Sequence, residues 1–145
     1  MKFKALDEGT FAVIFDKGDE CMGGLLSLAK EKNFAGSHFT AIGAFREVTL
    51  GYFDRDRKDY KKIPIREQVE VLSLLGDIAL KDGAPQIHAH VVIGKADGTA
   101  HGGHLLEARV WPTLEVILTE SPKHLQRAMD EETGLALINL PGENR

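Results

Sequence analysis

The sequence predicts an α/β (α+β) domain: a mixed, largely antiparallel β-sheet flanked by about two helices. Three observations carry that prediction. Short β-branched and aromatic runs recur along most of the chain, about seven of them. Only two segments carry helical signals, and they do not alternate strictly with the strands. At 145 residues the chain suits one domain, read here as residues 1–140 with 141–145 as a tail.

Thr10 to Phe15 (TFAVIF) is the first strand, followed by a turn at Asp16-Lys17-Gly18. Asp19 is placed to cap a helix from Glu20 to about Lys32, with Lys30 and Lys32 at its negative end. Met22, Leu25, Leu26, Leu28 and Ala29 form its apolar stripe. Gly23-Gly24 weakens the helix by about 1 kcal/mol per glycine, and close packing of the helix on a sheet is the reading of that pair. Strands follow at Ser37 to Ile42, Arg46 to Phe53, Val69 to Leu75, Ile87 to Lys95, Ala100 to Leu106 and Leu114 to Thr119. Ser121 and Pro122 read as the cap and first residue of a second helix, Lys123 to Asp130. Leu135 to Leu140 returns as a last strand, and Pro141 to Arg145 reads as a frayed end. Arg55 to Lys62 (RDRKDYKK), five positive and two negative charges around Tyr60, is the one basic cluster and reads as a solvated hairpin loop.

Composition narrows the function. An apolar fraction of 43% is too high for a disordered chain. A domain of this size buries about 68–70% of the surface its unfolded chain exposes, enough to fold without staples. No apolar run is long enough for a membrane-spanning helix, and the N-terminus has no secretory h-region. The single cysteine, Cys21, excludes an internal disulfide and a multi-cysteine metal knuckle. Together these absences read as cytoplasmic. Eighteen Lys+Arg against 22 Asp+Glu give a net charge of -4, which disfavours nucleic acid as a partner because phosphate neutralisation supplies most of that affinity.

Four of the six histidines, His88, His90, His101 and His104, fall within 17 residues. His88 and His90 share one face of a strand. Ile87, Ala89, Val91 and Ile93 make the other face an unbroken apolar row. Two imidazoles at this spacing can converge on one ion. The third ligand depends on the turn at Asp97-Gly98. A two-residue loop sets Ala96 opposite Thr99 and His90 opposite Leu105, which leaves His101 on the histidine face. A three-residue loop, Ala96-Asp97-Gly98, sets Lys95 opposite Thr99 and His90 opposite His104. One residue of register swaps faces. The three-residue loop is favoured because it puts Gly98 where φ must be positive, and a bulge at Gly102-Gly103 could also re-aim His104. Three neutral histidines leave one coordination position open, the layout of a catalytic zinc site. The alternative is a cluster of hydrogen-bonded histidines without an ion.

These blocks, with Glu70-Val71-Leu72-Ser73-Leu74-Leu75-Gly76, His88-Ala89-His90-Val91-Val92, Gly102-Gly103-His104-Leu105, Leu114 to Leu118 and the stretch Ile42 to Asp54, resemble the PPC (plants and prokaryotes conserved) domain family from about Phe11 to Leu140. The resemblance implies a mixed-sheet fold, a homotrimer, and a stand-alone prokaryotic member in which His88, His90 and His104 are the characteristic histidines holding a metal, zinc by expectation. His101 falls outside the family pattern. Glu107, Arg109 and Arg46 are the candidate groups around the ion. The implied fold is also similar to that of acetolactate decarboxylase, whose zinc is held by three histidines, though shared fold is not shared reaction. The expected function is a trimeric metal-binding protein, with a small-molecule ligand at the metal and its activity unassigned. The alternatives are a zinc-dependent lyase or hydrolase, or a DNA-binding regulator by analogy with plant members. The chain lacks the AT-hook segment with which those plant members enter the minor groove.

Overall fold

A computed structural model describes residues 1–140; the predicted tail lies outside them. Among the described residues there are nine strands and one helix. They run β1 (Lys2–Asp7), β2 (Thr10–Phe15), α1 (Cys21–Lys32), β3 (Gly36–Asp54), β4 (Asp59–Ile65), β5 (Val69–Lys81), β6 (Ala84–Gly94), β7 (Ala100–Glu120), β8 (Gln126–Met129) and β9 (Ala136–Asn139). All belong to one sheet. Its pairings are antiparallel except at a single parallel contact, Leu80 with Gln126. β3 pairs with β5 and β7, β5 with β6, and β6 with the start of β7, so these four strands close on themselves. Closure gives the sheet an inside, where Phe45, Leu50, Ile93, Leu105 and Leu114 are fully buried.

The helix obeys its sequence with one change. Glu20, in extended conformation, is the N-cap, and its carboxylate accepts the amides of Met22 and Gly23. Asp19, the expected cap, instead accepts Asp16 N at 2.9 Å and closes the preceding turn. Leu25, Leu28 and Ala29 face the core. A Cβ on Gly24 would stand 2.4 Å from Phe15, so this glycine of the pair serves helix-on-sheet packing, whereas a Cβ on Gly23 would meet the Glu20 carboxylate at 2.8 Å.

Two strand pairs read as separate are single long strands. β3 carries the chain through 36–54 and β7 through 100–120, each crossing register shifts that break the simple alternation. Bulges let one strand bend to serve two neighbours. β1 and β4 carry no strong run of their own and take their form from partners. The second helix does not exist. Residues 123–125 carry no regular secondary structure, and 126–129 form β8. The segment is too short to offset helix nucleation, and the sheet supplies its backbone partners instead: Leu125 N donates to Ala35 O at 2.9 Å, and Leu80 N donates to Leu125 O at 2.8 Å. No helix among the described residues is long and apolar enough to cross a membrane.

Candidate metal centre

β6 is amphipathic with period two. Ala89, Val91 and Ile93 are buried, while His88 and His90 lie on the outer face. The β6–β7 turn has the three-residue form: Lys95 N donates to Thr99 O and Gly98 N to Lys95 O, both at 2.9 Å. Gly98 adopts φ +82°, a conformation that L side chains rarely take. Asp97 Oδ1 accepts Thr99 N at 2.9 Å and stiffens the turn. His90 therefore faces His104, with Val91 opposite Gly103 and Val92 opposite Gly102 in unbroken register. The β6–β7 pairing has no bulge at Gly102-Gly103; the nearest irregularity of β7 falls between Leu105 and Glu107, in its pairing with β3. His101 pairs with Ile93, on the other side of the ribbon, where its ring lies 3.4 Å from Thr99 Oγ1.

The result is three imidazoles on one face. One nitrogen from each of His88, His90 and His104 lies within 4.8 Å of the others. The Nε2 atoms of His88 and His90 are 3.1 Å apart. His104 stacks on His88 with centroids at 5.1 Å and meets His90 edge-on at 5.5 Å. Burial, with the neighbouring His88 and His90, pushes the His104 pKa down from 6.5 to about 4. The His88 pKa is lowered too, by burial and then by His90, with Asp77 opposing. His104 is therefore neutral at physiological pH, the form a metal requires. Its Nδ1 is buried with no hydrogen-bond partner among the described residues. A soft-to-borderline donor set, desolvated and partly unsatisfied, fits a transition-metal ion.

Three other residues complete the surroundings, and none was legible as such. Tyr60 is not in a solvated loop. The basic cluster turns at residues 55–58 and re-enters the sheet as β4, which lays the half-buried Tyr60 ring flat on His104 at 4.5 Å. Gly51 makes this approach possible, since a Cβ there would stand 2.8 Å from the Tyr60 ring. Burial raises the Tyr60 pKa. Asp77 on β5 pairs directly with His88, and its Oδ2 lies 3.9 Å from His88 Nδ1. Arg127 on β8, buried, donates from Nη2 to Asp77 Oδ1. An aspartate inside the apolar run Leu74 to Leu80 was the one available signal; Arg127 had none.

Glu107, Arg109 and Arg46 are exposed. Their partners lie elsewhere: Glu107 accepts Thr49 Oγ1 at 3.0 Å, and Arg109 reaches Gly18 O at 3.5 Å. Glu107 and Arg109 instead line a cleft of about 370 Å³ with Glu47, Thr49, Lys62 and Arg66, and none of the three histidines borders it.

Residues 4–122 match the Plants and Prokaryotes Conserved (PCC) domain family. The fold aligns with the metal-containing protein AF0104 of Archaeoglobus fulgidus at 36% identity and a TM-score of 0.84, covering 96% of this chain and 97% of that one. It aligns with a plant- and prokaryote-conserved protein of Pyrococcus horikoshii at 31% identity and 0.85, covering 96% and 94%. A provisionally DNA-binding protein of Bacteroides thetaiotaomicron aligns at 27% and 0.91, covering 95% and 96%. By sequence, 108 residues are 29% identical to the bifunctional protein GlmU of a Synechococcus strain; the match takes in 73% of this chain but spans only 16% of that relative's length. The chain belongs to the PCC domain family.

Proposed function

We propose that this member of the family is a homotrimeric metal-binding protein in which His88, His90 and His104 hold one divalent transition-metal ion, zinc by availability. The observation that carries the reading is the convergence of three imidazole nitrogens within 4.8 Å on one sheet face. The name of the Archaeoglobus relative supports it. Three protein ligands leave a position for a small molecule or water. When bound, such an ion supplies Lewis acidity to whatever occupies that position.

The residues of this chain do three things toward it. The β6–β7 register sets the three rings at one point. Burial keeps His104 unprotonated. Tyr60 covers one face of His104. Turnover by a lyase or hydrolase needs a proton-transferring group at the open position. Asp77 meets His88 at Nδ1, the edge away from His90, and Tyr60 lies on the ring face of His104. Asp77 therefore stands behind its ligand, and the function we assign is metal binding.

The trimer rests on the same outer face. Ile117, Thr40, Leu75 and His90 lie side by side across β7, β3, β5 and β6. Leu75 is 56% exposed and Ile117 46%, with Val92 and Ile42 beside them. Exposed apolar side chains on all four strands, set among Thr40 and His90, suit burial between copies of the chain.

Elemental analysis of purified wild type, His88→Ala, His104→Ala and His101→Ala tests the centre. One ion per chain is expected in wild type and His101→Ala, and loss in the other two. Protein grown in zinc that carries none, or that keeps it without His88 and His104, would refute the reading.

A further inference from the structure

Resting on that reading, we propose that Asp77, clamped by Arg127, is the positioning residue that sets the His88 ring for the ion, and that the C-terminal hairpin β8–β9 is thereby part of the metal centre. The family match ends at residue 122, so this hairpin lies beyond it.

The argument begins with the His88 ring. Its Nε2 faces His90 Nε2 at 3.1 Å, so this is the edge that would meet an ion. Nδ1 is the opposite edge, and there Asp77 Oδ2 stands at 3.9 Å. A neutral imidazole that offers its Nε2 lone pair must carry its proton on Nδ1. At 3.9 Å the carboxylate acts on Nδ1 through its charge, not through a direct hydrogen bond, and that charge favours this tautomer, as outer partners of metal-bound histidines do.

Asp77 can serve only if its carboxylate is aimed. Arg127 aims it. Its side chain is 5% exposed, its Nη2 binds Asp77 Oδ1, and its Nη1 donates to Ala136 O on β9 at 3.0 Å. The guanidinium is thus gripped from two strands. It occupies one carboxylate oxygen and leaves the other toward His88. Arg127 Nε has no hydrogen-bond partner among the described residues. Burying such a pair is costly, and an apolar pair would pack the hairpin at least as well.

A consequence follows for the metal-free protein. The 3.1 Å contact between the two Nε2 atoms requires one of them to carry a proton. With His88 held as the Nδ1–H form, His90 is the donor. Ion binding then shifts the proton of His90 alone, and His88 is already set.

The test uses cobalt(II) as probe. Affinity is measured by chelator competition, and histidine tautomers in the metal-free protein by long-range nitrogen–proton NMR. In wild type, His88 is expected as Nδ1–H and His90 as Nε2–H. Asp77→Asn is expected to weaken cobalt binding by about 10–100-fold and to mix the His88 tautomers, with circular dichroism unchanged. Asp77→Asn/Arg127→Met removes both charges and guards against a fold lost to an unpaired guanidinium; it is expected to show the same weakening. Unchanged cobalt affinity and His88 tautomer in a folded variant would overturn the proposal. A wild type that binds no cobalt would overturn the metal reading itself, and this proposal with it.

Discussion

Lowering the pH of metal-free protein should cost stability in a window set by His104. Its pKa falls from 6.5 to about 4 on folding, because burial and then His88 and His90 oppose a charge there. Between those values the unfolded chain binds a proton that the folded protein refuses, so stability is whole above pH 6.5, declines as pH falls, and stops declining below about 4. At 1.36 kcal/mol per unit the full shift corresponds to about 3 kcal/mol. Solvent reaches part of the ring and screens it, which brings the expected loss to about 1–2 kcal/mol. The assay is urea unfolding of chelator-treated protein at several pH values, alongside His104→Gln. Asp16, held below 3.8 by Lys2 and then by the N-terminus, and Asp19, held below 3.8 by the N-terminus and then by the Asp16 backbone amide, titrate outside this window and are common to both proteins. The wild-type midpoint should fall more than that of the variant between pH 6.5 and 4. Equal slopes would refute the claim that desolvation of His104 governs the site.

Gly24→Ala should destabilise the protein by about 1–3 kcal/mol by overpacking, because its Cβ would enter the Phe15 ring at 2.4 Å; a gain in urea midpoint would refute this. Glu20→Ala should cost about 1 kcal/mol, read from the same curves, since it removes the cap of α1 and the acceptor for Ala108 N. Leu75→Asp with Ile117→Asp should convert a trimer to monomer in light scattering; a wild type already monomeric, or a variant still trimeric, would contradict the proposed interface. Binding to duplex DNA should be weak and insensitive to salt, given the net charge of -4. A steep loss between 50 and 200 mM salt would instead mark phosphate contacts, with Arg55 to Lys62 the first place to look.

Much of the candidate centre was local and therefore legible. His88 and His90 share a face because strands alternate, and Asp97-Gly98 closes a turn whose length decides which later histidine meets them. Those are properties of adjacent residues, and hydrogen bonds across the turn bear them out. The apolar row Ala89, Val91 and Ile93 says which side is core, so the imidazole side follows. The family blocks lie in the same stretch.

What the tertiary structure decided was long-range. Lys123 to Asp130 has a helical start signal, but a short segment takes whatever partners the sheet edge offers, and those partners, Ala35 and Leu80, lie far away in sequence. β3 and β7 are continuous only because bulges let each serve two neighbours, and no local pattern marks where a strand must bend. Tyr60 reaches His104 because β4 folds back over Gly51, and Asp77 on β5 meets Arg127 on the adjacent strand β8, 50 residues away in sequence. A single chain's alternation determines which face a side chain takes; which distant side chain waits on that face is determined by closure of the sheet.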